Sequence, residues 1–211
     1  AIAQGSIADI IGMNPNDSIA YSWNGAYERE ISYDDNVIFR ENFDNGLVNM
    51  LLYEGDHLTP GDIAISLDFA DADNYPWSVV LDDNGVDYAA STHSMYEPAG
   101  RADDWMVTPQ IYLPDDKCYL KFMSQSFTEG KNDTLAVVVW AFDEAITALN
   151  SELIEQLKSE CDTIYFEREY PGTYQDSLAG DWTSHTIGLS KYAEKNVYIG
   201  FWNNNENQSM I

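Results

Sequence analysis

Basic side chains are scarce in this chain: ten Lys and Arg stand against 36 Asp and Glu, a formal net charge of −26 over 211 residues. Phosphate backbones are held by Lys and Arg, so nucleic acid is excluded as a natural partner. Anionic membrane surfaces are disfavoured for the same reason. Cysteine is limited to Cys118 and Cys161, which fit no metal-ligand spacing. They would pair only if the fold brought them together, and two buried thiols are expected instead. No apolar run reaches the ~20 residues of a membrane-spanning helix, and no basic stretch followed by an apolar one reads as a signal peptide. The chain also lacks a G-x-S-x-G elbow, a phosphate-binding Gly loop, a G-x-G-x-x-G turn and an H-E-x-x-H helix. Its three histidines, His57, His93 and His185, are scattered. Ser91-Thr92-His93-Ser94 sets hydroxyls beside an imidazole, but neighbours on a strand point to opposite faces. With so many acids, some carboxylate pair will lie ~5–9 Å apart by chance, so spacing alone identifies no glycosidase. The expectation is no catalytic residue. No internal repeat or low-complexity segment is visible.

What is present is apolar and aromatic material, 45% and 13% of residues respectively. That suffices for a packed core, and the length suits one large sandwich or a sandwich with an appendage. Residues 1–36 read as a lead-in, a linker or an accessory strand. From Val37 to the end, short strand patterns alternate with turn signals, as in an all-β sandwich. Ile63 to Phe69 alternates cleanly. Trp77 to Leu81 and Val86 to Thr92 flank Asp82-Asp83-Asn84-Gly85, where Asn-Gly supplies the positive φ of a tight hairpin. Cys118 to Phe127 is a long alternating strand. Thr134 to Phe142 is apolar on both faces and belongs at the sandwich centre. Thr163 to Glu169, Trp182 to Leu189 and Asn196 to Trp202 follow. Ile146, Leu149, Leu153 and Leu157 recur at helical spacing, which predicts one amphipathic helix of about four turns with Asp143 as N-cap. Its stripe would pack on a sheet face or close one end of the sandwich.

The most telling stretch is Asp103-Asp104-Trp105-Met106-Val107-Thr108-Pro109-Gln110-Ile111-Tyr112-Leu113-Pro114. Each Pro lacks an N–H and belongs at a strand edge or bend, so this reads as two short strands joined by a Pro kink, with acids at the mouth. The segment resembles the D-D-W-L-I-T/S-P-x-I-x-L signature of cleaved-adhesin and choice-of-anchor J domains, secreted or surface modules common in Bacteroidetes. Phe39 to Gly46 looks like their F-x-E-x-F-E/D-x-G strand. Tyr53 to Pro60 is similar to Y-x-x-D-G-x-T-P, with His57 where Gly is usual. Trp77-Ser78-Val79-Val80 resembles the W-x-V strand, and Trp182 to Phe201 the closing pattern. The resemblance spans roughly Val37 to Phe201. It implies a jelly-roll-like antiparallel β-sandwich of the galactose-binding or MAM-like kind over residues 37–211, with the helix as an insertion. It also implies a non-catalytic extracellular module, outer-membrane associated or secreted, that binds a glycan or a surface protein.

The excess acidity has three readings: a solvated surface, a subset of carboxylates that bind Ca²⁺, or adaptation to high salt; the first two are compatible. The resemblance implies structural Ca²⁺ near the opening strand and its acidic loop. The matching positions are Glu41, Asp44, Glu54 and Asp56, with Asp103 or Asp104 contributed by the signature strand. Asp68, Asp71, Asp73 and Asn74 imitate an EF-hand start but are followed by Tyr75-Pro76, where a ligand and Gly are needed. Asp82, Asp83 and Asp87 read as turn chemistry. Fourteen Tyr and six Trp exceed a usual core. Among those near loops, Tyr96, Tyr170, Tyr174 and Trp202 are the candidate ligand-stacking rings, against ordinary loop packing as the alternative. Sequons at Asn16, Asn132 and Asn207 are weak matches. An accessory domain of a secreted peptidase or glycoside hydrolase, and a stand-alone hydrolase, remain the other functional readings.

Overall fold

A computed structural model describes residues 2–4, 7–12, 37–61, 76–81, 87–125, 134–168 and 182–205. Its strands are β1 (Ile2–Gln4), β2 (Ile7–Gly12), β3 (Val37–Glu41), β4 (Leu51–Glu54), β5 (Ser78–Leu81), β6 (Tyr88–Ser91), β7 (Asp104–Val107), β8 (Ile111–Leu113), β9 (Cys118–Ser124), β10 (Thr134–Ala141), β11 (Asp162–Arg168), β12 (Thr183–Gly188) and β13 (Lys195–Asn203). One α-helix among the described residues, α1 (Ser151–Glu160), lies between β10 and β11. The main sheet runs β11-β10-β13-β7-β4, with β8 also on β13; a second runs β12-β9-β2-β3, and a third β1-β6-β5. Every pairing among the described strands is antiparallel. The all-β sandwich expected from the alternation is what the chain forms.

The main core lies between the two larger sheets. It holds Met106, Leu135, Val137, Val139, Val197, Ile199 and Phe201 from the main sheet, and Cys118, Leu120 and Phe122 from β9. Strand β9 alternates without fault between buried and half-buried residues, the signature of one face on the core and one turned outward. Strand β10 is buried on both faces, but not because it is central; β13 holds that place. Its second face is covered by α1, whose Ile154 and Leu157 pack on Trp105, Val107, Val138, Trp140 and Tyr198.

The helix is shorter than its periodicity predicts. It has ten residues and starts at Asn150, not Asp143; the Asn150 side chain accepts the Leu153 N–H, filling one of the orphan donors at a helix start. Upstream, β13 holds the chain in another conformation. The Tyr198 hydroxyl accepts the Ile146 N–H at 2.8 Å and donates to the Glu144 carbonyl at 3.0 Å. Asp143 accepts instead from Asn196. Ile146 and Leu149 still pack on the outer cluster, so the apolar stripe marks the buried face correctly while the helix itself covers only part of it.

The Pro kink is present. Strands β7 and β8 both pair with β13, and Thr108, Pro109 and Gln110 oppose only Tyr198 and Ile199 in its register. Thr108 repairs the ladder at this irregularity: its N–H donates to the Ile199 carbonyl at 2.9 Å, and its hydroxyl accepts the Ile199 N–H at 3.0 Å. Strands β5 and β6 pair from Ser78–Ser91 to Leu81–Tyr88, the hairpin flanks expected around Asn84-Gly85. That turn, Ile63 to Phe69 and the Asp68–Asn74 group lie outside the described residues. Cys118 and Cys161 are both free; Cys118 is buried, Cys161 only half-buried.

Candidate functional site

Strands β4 and β7 pair from Leu51–Val107 to Glu54–Asp104. Directly paired residues share a face. Leu52 and Met106, one pair earlier on that face, pack in the main core. Glu54 and Asp104 therefore sit side by side where the space between the sheets ends. Asp103 is displaced to the other face by the pleat.

The loop after β4 is braced against Asp103. Gly55 donates its N–H to the Asp103 carbonyl at 3.0 Å, and Asp103 donates its own to Asp56 Oδ2 at 2.9 Å. Asp56 Oδ1 accepts the Leu58 N–H at 2.7 Å. A Cβ on Gly55 would fall 2.6 Å from Asp103 Oδ2, so only glycine allows this approach. His57 adopts a left-handed φ of 55°, a region that favours Gly. Its Nδ1 lies 2.9 Å from Glu54 Oε2.

On the inner face, polar groups are short of partners. Asp104 is 1% exposed; its Oδ2 accepts the Tyr96 hydroxyl at 2.7 Å, while Oδ1 is buried without a partner. Glu54 Oε1 is likewise buried and unpartnered. Burial first, then the Asp56 charge, pushes the Asp104 carboxyl well above the usual carboxylate range; the Tyr96 hydrogen bond opposes them, and Glu54 and Asp103 add to the rise. The Tyr96 phenol is driven far up by burial and by Asp104. Behind them runs a satisfied polar network. Asn203 donates to Thr92 Oγ1 and the His93 carbonyl, Asn205 to Asn203 and the Thr134 carbonyl. His93 is buried, held down to about 4 by burial, and its Nδ1 accepts the Met95 N–H.

On the outer face, Asp103 is saturated. Its Oδ1 accepts the indole N–H groups of Trp105 at 2.9 Å and Trp202 at 2.8 Å, and its Oδ2 takes the Lys158 ammonium at 2.7 Å. The two indoles stack at 4.7 Å, and Lys158 Nζ lies 5.9 Å from the Trp202 ring centre. Gly200 makes this possible, since a Cβ there would lie 3.0 Å from Val138 and 3.5 Å from the Trp105 ring.

The five metal candidates thus split. Glu54, Asp56 and Asp104 gather at one end of β4. Glu41 is tied to its other end, where its carboxylate accepts the N–H groups of Asn42 and Phe43 and the Asn49 amide, about 10 Å along the strand. Asp44, exposed, is bonded to Asn42 in that same turn. One ion cannot draw on all five. Among the described residues no three His, Cys, Asp or Glu side chains converge as a metal-holding group. The donor chemistry of Glu54 and Asp104 nevertheless suits a hard cation: two buried carboxylate oxygens have no other partner.

Of the candidate rings, Tyr96 is not exposed; it is 5% accessible and spends its hydroxyl on Asp104. Trp202 is half-buried, with one neighbour stacked on it. Tyr170 and Tyr174 lie outside the described residues. Sequence reasoning missed Lys158 and the Asp103 clamp. The spacing Asp103–Trp105 was its signal, because residues two apart on a strand share a face. It also missed His185, whose Nε2 lies 2.7 Å from Ser124 Oγ and whose ring stacks on Phe122 at 4.6 Å. Ser124 is 2% exposed, so that hydroxyl offers no open nucleophile.

No family model and no curated protein matches the chain. Solved structures do. The K3 cleaved adhesin domain of Lys-gingipain from Porphyromonas gingivalis W83 is 16% identical, with 82% of this chain and 92% of that domain covered and a TM-score of 0.54. The K1 cleaved adhesin domain of the same protein is 14% identical, with 81% and 90% covered and a TM-score of 0.50. At this identity the likeness is one of fold.

Proposed function

We propose that this chain is a non-catalytic, extracellular adhesion-type module, secreted or held at the cell surface, that binds a surface glycan or protein. The observation that carries the reading is the sandwich it shares, over most of its length, with two domains described as cleaved adhesins. A second reading, an accessory module carried beside an enzyme domain, draws on the fact that both neighbours are parts of a larger protein, Lys-gingipain.

In the same proposal, Glu54 and Asp104 hold a structural Ca²⁺. Their two unpartnered oxygens would be its charged donors, and backbone carbonyls and water would complete the shell of six to eight. Asp56 positions the loop by accepting two backbone N–H groups rather than by ligating. Lone Ca²⁺ would supply charge compensation, nothing more.

Glycan arrays and surface-protein panels, probed with Ca²⁺ and again with EDTA, test the module. Specific binding that weakens in EDTA supports both parts of the reading, and binding indifferent to EDTA removes the calcium part. Silence under both conditions overturns the adhesion reading.

A further inference from the structure

The register of the main sheet lays a row of rings across its outer face. Phe166 pairs with Ala136, Ala136 with Trp202, Trp202 with Trp105, and Trp105 with Tyr53. Paired residues share a face, and Trp105 packs with α1, so the whole row lies on the α1 side. Its character changes from strand to strand. Trp105 is fully buried, Trp202 half-buried and Phe166 60% exposed. Phe166 stacks on no ring among the described residues. Trp202 stacks on Trp105, on its β7 side, so its second face is turned toward β10. On that side only the methyl of Ala136, itself buried, stands in the row before Phe166, which is two strand spacings or about 10 Å away. Two residues past Trp202, Asn204 is half-buried, and its Oδ1 accepts the Arg101 Nε–H at 2.6 Å. That bond orients the amide and leaves Nδ2 as a donor without a partner among the described residues.

We propose that this ledge binds a neutral glycan, one pyranose ring stacked on Phe166 and the next lying over Ala136 toward Trp202, with a hydroxyl accepting from the Asn204 amide. The proposal rests on the adhesion reading above and names the place and the ligand class. A pyranose presents C–H groups on its faces and hydroxyls around its rim, which is what an exposed ring beside a fixed amide serves. Size favours this occupant over a protein or a second copy. The exposed part of Phe166 amounts to roughly 100–150 Å², against the ~800 Å² that each partner gives to a standard protein interface, and no other large exposed apolar side chain among the described residues lies on β10, β11 or β13. Charge favours a neutral sugar. A chain of net charge −26 repels sialylated, uronic or sulfated ones at long range. Close by, Lys158 is taken by Asp103 and Glu155, and Glu160 accepts the Trp140 indole N–H. Arg168, two residues on from Phe166, is the basic neighbour that would instead favour an anionic ligand, so the test includes one.

The test titrates the whole chain with lactose, cellobiose and maltose as neutral probes and with 3′-sialyllactose as the anionic one, followed by amide chemical shifts. At least one neutral disaccharide should bind, with the largest shifts at residues 134–138, 164–168 and 200–204, and 3′-sialyllactose should bind more weakly. Phe166→Ala should weaken binding at least fivefold and Phe166→Trp should preserve it. Asn204→Asp keeps the acceptor for Arg101 but removes the Nδ2 donor, and should also weaken binding. Thermal melts check that the three variants fold. A neutral sugar bound at full strength by Phe166→Ala overturns the ledge and leaves the adhesion reading standing, with the sugar elsewhere. Preference for 3′-sialyllactose overturns the neutral ligand. Self-association of the wild-type chain that Phe166→Ala abolishes makes the occupant a second copy and overturns the proposal. So does failure of every sugar to bind, in which case the surface-protein panel decides the adhesion reading independently.

Discussion

Two carboxylates that are neighbours in the chain live in opposite circumstances. Asp103, on the outer face, accepts from two indoles and an ammonium, and its main chain is bonded on both sides. Asp104, on the inner face, has a single side-chain partner and a buried oxygen with none, beside a second such oxygen on Glu54. A charge-assisted bond is strong when made, and a buried acceptor left empty is costly. Asp103 therefore holds the outer layer together, whereas Asp104 is kept in a state that only a proton or a cation relieves. A cluster of acids is not one kind of site; the strand pleat decides which acid is cement and which is waiting.

The outer region should be the more fragile. Trp105→Ala, which empties a fully buried site above Gly200, should cost about 3–5 kcal/mol, read by urea unfolding. Asp103→Ala strands two indole N–H groups and should cost about 2–4 kcal/mol. The inner region should behave oppositely: without metal at pH 8, Asp104→Asn should be neutral or stabilising. Equal losses for Asp103→Ala and Asp104→Asn would erase the contrast.

Acidity sharpens it further. The raised carboxyl of Asp104 means that the folded chain keeps a proton the unfolded chain releases near pH ~3.9. The stability this contributes is full below that value and is lost as pH rises through the folded-state pKa. Metal-free wild type should thus gain on Asp104→Asn as pH falls, in parallel melts. Calcium should reverse the order, raising the wild-type Tm near neutrality and leaving Asp104→Asn unmoved.

Smaller effects come from the partners. Lys158→Met should cost no more than about 1 kcal/mol, and less in high salt, because Lys158 and Asp103 are each about a quarter exposed. His57→Gly should fall within about 1 kcal/mol of wild type, relief of the left-handed backbone offsetting the lost Glu54 contact.

Alternation made the sheets legible, since burial imposes period two wherever one face meets the core; β9 shows it. The helix was half legible. Ile146 to Leu157 announced a buried stripe, but a stripe does not say where coil becomes helix, and the Tyr198 hydroxyl, 52 residues downstream of Ile146, decided that. At the site, the acids were legible as residues but not as groups. Glu41 and Glu54 look alike in sequence and are separated only by the length of β4. Tyr96 looked like a loop ring, yet its hydroxyl bonds the buried Asp104 carboxylate and the ring lies inside. Lys158 was invisible because its partner lies 55 residues away.

Strand β13 pairs with β10 along one edge and with β7 and then β8 along the other. Among the described strands, the halves it joins precede it in the chain and make no ladder with each other without it. On the ribosome, β7 and β10 would emerge with raw edges and wait for a stretch near residue 200 before either could close. Assembly of this sheet is therefore a late, long-range event, and the interval before it is when the nascent polypeptide has most need of a chaperone.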